Sequence, residues 1–222
     1  NTPDAWNVTD FGQYPYLQRV CLNIDPSDSD LSKEQTFRDY LTQVPAGYDS
    51  EIRYYRWTAE ADFCPVLSRI SDILKNRHSI SPKNVLYYES DGKETEPFDI
   101  QNLTGFEEMI RNRSGYLTSV TLTCDNGKVK VLTEYNIRLL FGTAVTQIEY
   151  KDGSKADTLS MLPSAACVID RQMDGTYKIT GGGFGHGIGM SQNGANGMAK
   201  SGFGYQDILT FFYQNTELTR IR

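Results

Sequence analysis

The chain has 222 residues, with 28 Asp and Glu against 22 Lys and Arg and a net charge of -6 when histidine is neutral. A chain of this length buries about 70% of its unfolded surface and needs neither metals nor disulfides to hold a core. The acidic balance excludes nucleic acid as a non-specific partner, which calls for a basic face, and no run of apolar residues is long enough to span a bilayer.

The first fifty residues, punctuated by Pro3, Pro15, Pro26 and Pro45, read as loops with an acidic excursion at 25–30 and one short helix over 34–41. Residues 51–59 read as an aromatic-rich strand. Phe63, Val66, Leu67, Ile70, Ile73 and Leu74 recur at helical spacing and Pro65 suits a first turn, which predicts a helix over 65–75. A strand is expected at 84–89, a short helix at 106–111, and a hairpin pairing 116–124 with 128–132 across Asp125-Asn126-Gly127. A helix over 134–141 should stop at Gly142. A second hairpin, 165–171 with 176–180 around Asp174-Gly175, delivers the chain into a glycine-rich run. Beyond it, Ser191 is placed to cap a helix over 192–200 ended by a left-handed Gly202. The last helix, 205–213, turns Ile208, Leu209 and Phe212 inward. Strands and short helices intermix without a βαβ period, so the expected class is α+β, with mixed, largely antiparallel strands and hairpins and several short helices. One domain is expected over 1–222, with residues 60–142 as a smaller inserted subdomain. The last fifty-two residues carry a net +2, from five Lys or Arg and three Asp or Glu, which leaves -8 for residues 1–170.

Cys21, Cys64, Cys124 and Cys167 stand far apart and form no C-x-x-C pair, so zinc is not expected. Two readings stay open for them, single buried hydrophobes or two bridges.

Eight of the 19 glycines fall between Gly181 and Ala199. Glycine orders at a large entropic cost, so such a run persists where the backbone needs positive φ or another chain must come close. A backbone-lined site follows, with His186 as its only titratable group. The spacing matches neither G-x-G-x-x-G nor G-x-x-x-x-G-K-[ST], which argues against a nucleotide. His186 has no second histidine nearby to build a metal site, the other being His78. A nucleophilic pairing with Ser191 lacks an orienting third group. His186 therefore either organises the glycine turns, lines a groove or, less naturally, moves a proton. The binding residues expected are Gly185, His186, Gly187, Gly189, Met190, Ser191 and Gln192, joined by Arg56 and Tyr205. Fourteen tyrosines suit sugar recognition, because a ring with a polar handle covers a sugar face and holds its hydroxyls. Individually, Tyr54, Tyr55, Trp57, Tyr205, Phe212 and Tyr213 read as core ahead of site. Gly185 to Gly189 should line an open cleft, since a closed core would leave their amides hard to satisfy.

The run from Gly183 through His186, Met190, Ser191 and Gln192 to Ala199 resembles the signature G-x-G-[FWY]-G-H-G-x-G-M-S-Q-x-G-A-x-G-M-A of the stage II sporulation protein D and amidase enhancer family of bacterial cell-wall proteins. Its continuation through Tyr205, Ile208-Leu209, Phe212-Tyr213 and Thr216-Glu217-Leu218 resembles the family's usual ending. Ala5-Trp6, Pro15-Tyr16-Leu17 and Arg56-Trp57-Thr58 follow its V-W, P-Y-L and R-W-T elements in order. The resemblance implies lytic transglycosylase action on denuded peptidoglycan glycan strands, in sporulation and engulfment, outside the cytoplasm and facing the cell wall. It implies a cell-wall amidase and a membrane-anchored engulfment complex as partners. No cofactor, metal or nucleic acid is implied. Arg56 would then meet a carboxylate of the stem peptide or of muramic acid, or make a structural ion pair.

Such a reaction needs one carboxylic acid to protonate the leaving oxygen, while the sugar's own C6 hydroxyl closes the anhydro ring. The family's helix [PE]-x-E-A-L-K-A-Q-A-[VI]-A-A-R-[ST]-Y, whose glutamate is regarded as that acid, is absent from residues 1–222. The acid is thus expected upstream of residue 1, in a longer parent of which this chain is the C-terminal part. No catalytic residue is assigned within the chain, and its standing as an enzyme is left open. The alternative is a non-catalytic glycan-binding or amidase-enhancer module. On this reasoning the isolated chain should release no anhydromuropeptides from denuded peptidoglycan, as checked by mass spectrometry after overnight digestion. Abundant anhydro products would mean that a carboxylate within residues 1–222 serves as the acid.

Overall fold

The computed structural model of the chain describes residues 14–18, 20, 30–43 and 47–220. The expectations at Pro3, Ala5-Trp6, Cys21, Pro26, Pro45 and the acidic excursion 25–29 lie outside them. The elements in chain order are α1 (Glu34–Gln43), β1 (Trp57–Ala61), α2 (Leu67–Ile80), β2 (Val85–Tyr88), β3 (Glu94–Thr95), β4 (Leu103–Arg111), β5 (Leu117–Cys124) and β6 (Gly127–Leu132). They continue with α3 (Glu134–Ala144), β7 (Val145–Tyr150), β8 (Lys155–Ala156), β9 (Cys167–Arg171), β10 (Tyr177–Gly181), α4 (Gln192–Lys200) and α5 (Tyr205–Phe212).

Two five-stranded sheets result, ordered β8-β7-β1-β10-β9 and β3-β2-β6-β5-β4. Every strand pairing in both is antiparallel. The fold is α+β, as expected. Alternation explains β1, where Trp57, Ala59 and Ala61 are buried and Glu60 faces water. Both sheets share one core with α2 and α3, in which Trp57, Ile70, Val129, Phe141, Ile148 and Ile179 are all buried. Aromatic edges join the sheets: Phe106 of β4 and Tyr177 of β10 meet at 5.2 Å, and Phe63 touches both. Such edge-to-face pairs stabilise beyond their buried area by about 0.5–1.5 kcal/mol each. A smaller cluster of Met198, Ile208 and Phe212 joins α4 to α5.

Several local expectations are corrected. Residues 106–111 belong to strand β4, not a helix. Glu108 sits at φ 47° and the register against β5 shifts on either side of it, so the bulges break the period-2 pattern that marks a strand. Residues 53–55 wind into a 3-10 turn before the strand begins at Trp57. The helix expected at 65–75 starts with a 3-10 turn at Cys64–Val66 and runs on to Ile80. Gly142 does not stop its helix but lies inside α3, which ends at Ala144. Strand β7 follows at once, and the sequence reading had no element there. Among the described cysteines Cys64 is exposed and Cys124 and Cys167 are buried, all as free thiols. Burial pushes the thiol of Cys124 up to about 11 and that of Cys167 to about 12, which suits small hydrophobes.

Gly142 has a long-range reason. A Cβ there would lie 2.5 Å from the Met161 Cα and 2.6 Å from the Leu162 nitrogen, so the 161–162 backbone rests on the helix. Arg138, one turn earlier, donates from Nε to the Leu162 carbonyl at 2.9 Å and accepts from the Leu162 amide at 3.0 Å through its own carbonyl. Arg138 also pairs with the buried Glu134 at 3.3 Å. Substituting Gly142→Ala should push the loop off the helix and cost about 1–3 kcal/mol as overpacking. Thermal unfolding should show a fall in Tm of about 2–4 °C for each kcal/mol in a chain of this size, and an unchanged Tm would show that the loop yields freely.

Candidate functional site

The glycine run leaves β10 at Gly181, which pairs with Trp57 across the sheet. The Trp57 indole occupies the space a side chain would need at 181, where a Cβ would lie 2.4 Å from Trp57 Cζ2. From there the backbone is fastened on two sides. The Gly182 amide donates to the Ala166 carbonyl at 3.0 Å, and the buried Ser164 hydroxyl donates to the Gly182 carbonyl at 2.6 Å. The Gly183 amide donates to the Tyr54 carbonyl at 2.8 Å, and the Gly185 amide to the Pro163 carbonyl at 2.8 Å. Trp57 Nε1 donates to the Gly183 carbonyl at 3.3 Å.

Gly183, Gly185, Gly187 and Gly189 have φ of 80°, 108°, 71° and 75°, whereas Phe184, His186 and Ile188 between them do not enter that region. The handedness of the backbone therefore alternates residue by residue. Only glycine visits the left-handed side routinely, which accounts for its spacing of two. Gly187 meets a second constraint, because the Tyr116 ring lies where its side chain would be, with Cζ 2.3 Å from the position of a Cβ. Burial pushes the Tyr116 hydroxyl up to about 12, so the ring beneath the run stays neutral.

After Gly185 the run opens. A cleft of about 570 Å³ is walled on one side by His186, Ile188, Gly189 and Met190, and on the other by Tyr16 and Leu17 with Leu209, Tyr213 and Thr216 to Leu218. Among the described residues, the amides of His186, Gly187 and Gly189 donate to no protein group, and Gly187 and Gly189 are exposed. The Met190 amide donates to the Tyr213 hydroxyl at 3.4 Å. Ser191 caps α4, its Oγ accepting the Gly194 amide at 3.0 Å.

His186 is half-buried, and its Nδ1 accepts the Ile188 amide at 3.1 Å. That bond requires an unprotonated Nδ1 and places the neutral ring's hydrogen on Nε2. Burial lowers the pKa of the ring from its ordinary 6.5, and the Arg138 charge acts in the same direction. The imidazole is thus a neutral organiser of the 186–188 turn that keeps Nε2–H as a donor. Together with the unpartnered amides it offers hydrogen-bond donors along an otherwise apolar wall of Leu17, Ile188, Met190 and Leu209. Neutral oxygen-rich ligands suit such a lining. Among the described residues, Glu217 is the one carboxylate in the lining, and it is exposed. The described residues contain no group of three or more His, Cys, Asp or Glu placed to hold a metal ion.

The expected binding residues separate in space. His186, Gly189 and Met190 line the cleft, and Gly185 and Gly187 shape the turn that opens it. Ser191 is engaged as a cap, and Gln192, the first residue of α4, is exposed. Tyr205 is exposed at the start of α5 and is not part of the cleft lining. Arg56 lies behind the run: its Nε donates to the Leu41 carbonyl at 2.9 Å and its Nη1 to the Tyr55 carbonyl at 2.7 Å, and Gly182 sits against it. The sequence reading did not nominate Tyr16, Leu17 or Tyr213 for the site, although Tyr16 and Leu17 belong to the P-Y-L element already noted.

The profile of the family described as Domain of unknown function (DUF8618) matches residues 1–189. The chain is also similar, over short stretches, to proteins whose roles are named. It is 56% identical over 43 residues to the Amidase enhancer of Bacillus subtilis (strain 168), a stretch that is 19% of this chain and 6% of that protein. It is 52% identical over 44 residues to Stage II sporulation protein D of the same organism, 20% of this chain and 13% of that protein. The Bacillus amyloliquefaciens Stage II sporulation protein D is 51% identical over 45 residues, again 20% and 13%. The aligned stretches thus span a small part of each of these relatives.

The His186 geometry sets a pH dependence. The folded state holds this ring less protonated than the unfolded chain, so stability rises with pH between the folded and unfolded pKa values. The His186 contribution is complete above the ordinary value near 6.5 and is lost as pH falls through the lower folded value. Melting curves between neutral and mildly acidic pH should show a steeper fall in Tm for the wild type than for His186→Gln, which cannot titrate. Parallel curves would show that the ring titrates as it does in the unfolded chain.

Proposed function

We propose that the chain, which belongs to the family described as Domain of unknown function (DUF8618), binds the glycan strands of bacterial peptidoglycan in the cleft beside His186. The observation that carries this reading is the cleft wall itself, where Gly189, whose amide has no partner among the described residues, and the neutral His186 ring line the same cleft as Tyr16 and Tyr213. An N-acetylated sugar presents carbonyl and hydroxyl acceptors to such donors and an apolar ring face to aromatic side chains. The short likenesses to the Amidase enhancer and to Stage II sporulation protein D support a cell-wall related role in sporulation, and the proposal places that role outside the cytoplasm. Within that role the strands are the ligand, and a cell-wall amidase and a membrane-anchored engulfment complex are the partners proposed.

For the chemistry, two versions are distinguished by the carboxylate. In the first the chain forms the substrate groove of a lytic transglycosylase, with His186 and the run's amides holding a sugar while a carboxylic acid from outside residues 1–222 protonates the glycosidic oxygen. In the second it is a non-catalytic glycan-binding module that enhances an amidase. The cleft favours binding over chemistry by this chain alone. General-acid work calls for a carboxyl held out of water, and Glu217 is exposed.

Co-sedimentation with denuded peptidoglycan tests the reading. His186→Ala should weaken retention by about tenfold, in line with loss of one buried hydrogen bond and its turn, while circular dichroism shows a folded protein. Retention equal to the wild type would remove the cleft as the glycan site. Retention intact with transglycosylase turnover of the parent protein abolished would instead assign His186 to the chemical step.

A further inference from the structure

The first half of the glycine run serves a different surface from the second. Phe184 is 60% exposed, yet the backbone on either side of it is fastened by the Gly183 amide on Tyr54 and the Gly185 amide on Pro163. Its ring lies on Tyr54 with centroids 4.5 Å apart and planes at 37°. Tyr54 in turn meets Tyr150 edge-on at 5.2 Å. The Arg53 guanidinium is seated on the same pair of tyrosines, its central carbon 4.6 Å from the Tyr54 centroid and 4.8 Å from that of Tyr150, and it donates to the Tyr54 hydroxyl. Burying a phenyl ring beneath its neighbours is the ordinary outcome; holding one in water on a clamped, left-handed turn is not.

Arg53 is itself exposed and makes no ion pair with a described carboxylate. Asp152, the acid that acts on it electrostatically, spends its Oδ1 on the amide and hydroxyl of Ser154. A guanidinium stacked on aromatic faces, with one Nη2 hydrogen given to the Tyr54 hydroxyl, keeps its other edge donors for a planar anion such as a carboxylate. Phe184 and His186 are two residues apart, so their Cα atoms lie within about 7 Å. A glycan strand of several sugars held at His186 is long enough to reach the Phe184 face.

We propose that Phe184, Tyr54 and Arg53 form a second glycan subsite, in which a sugar ring packs on the exposed Phe184 face and the carboxylate of an acidic sugar pairs with Arg53. The proposal rests on the glycan-binding reading of the cleft and adds to it a second contact surface, with the residues that read the carboxylate borne by the lactyl ether of muramic acid. Arg53, not Arg56, is the arginine that reads it.

Two soluble probes separate the parts: a tetrasaccharide of alternating N-acetylglucosamine and N-acetylmuramic acid, and chitotetraose, which has the same backbone without carboxylates. Isothermal titration should show the wild type preferring the muramic probe. Arg53→Gln should lower affinity for that probe by roughly fivefold to tenfold and leave chitotetraose unchanged, abolishing the preference. Phe184→Ala should weaken both probes by about tenfold and Phe184→Trp should restore them, with melting curves confirming that all variants fold. The subsite is overturned, and the cleft reading kept, if His186→Ala weakens both probes while Arg53→Gln and Phe184→Ala bind as the wild type does. Binding of neither probe by the wild type overturns both.

Discussion

Two carbonyls hold the site in place. Tyr54 on one side and Pro163 on the other accept the amides of Gly183 and Gly185, and both glycines hold the positive φ that brings their amides close to those carbonyls. This close approach is what turns a hairpin exit into a cleft wall. It depends on elements far away: Arg138 and Gly142 in α3 seat the 161–163 loop, and the 3-10 turn at Arg53–Tyr55 presents the Tyr54 carbonyl. Backbone hydrogen bonds contribute only about 1 kcal/mol each. The arrangement is therefore held less by the strength of any one bond than by the packing that aims them.

The opposite wall comes from the other end of the chain and from its last helix. Tyr16, Leu17 and Tyr213 line the cleft together with Met190, and Tyr16 and Tyr213 meet edge-on at 6.2 Å. Helix α4 approaches the 47–50 segment so closely that a Cβ on Gly197 would meet the Tyr48 carbonyl oxygen at 1.9 Å. The cost of about 1 kcal/mol for glycine inside a helix is thus offset by a backbone contact no other residue permits. The small α4–α5 cluster needs that contact, because Met198, Ile208 and Phe212 alone make a thin core.

Much of this was legible in the residues. Both hairpins follow from Asn126-Gly127 and Asp174-Gly175, the α4 cap from Ser191, and the positive φ of the run from its alternate glycines. What escaped is what depends on distant partners or on broken periods. The β4 strand was hidden by its bulge at Glu108, and Gly142 read as a helix stop because the loop resting on it is twenty residues downstream in the chain. Arg53 and Arg56 are alike in sequence, each beside a tyrosine. Which of them turns inward is decided by the short 3-10 turn between them, and three residues carry too little pattern to announce it.

The alternating φ of Gly183, Gly185, Gly187 and Gly189 gives this stretch a stereochemistry of its own. At Gly185 and Gly189 a Cβ of the natural configuration would meet open space or only ordinary contact, so what forbids alanine there is chirality rather than volume. The left-handed backbone at these two positions is the one a mirror-image residue prefers. At Gly142 the barrier is volume, and at Gly187 volume and chirality act together. The wall thus combines two kinds of intolerance that look identical in a sequence, and a semisynthetic chain bearing D-alanine at one position at a time is the reagent that tells them apart.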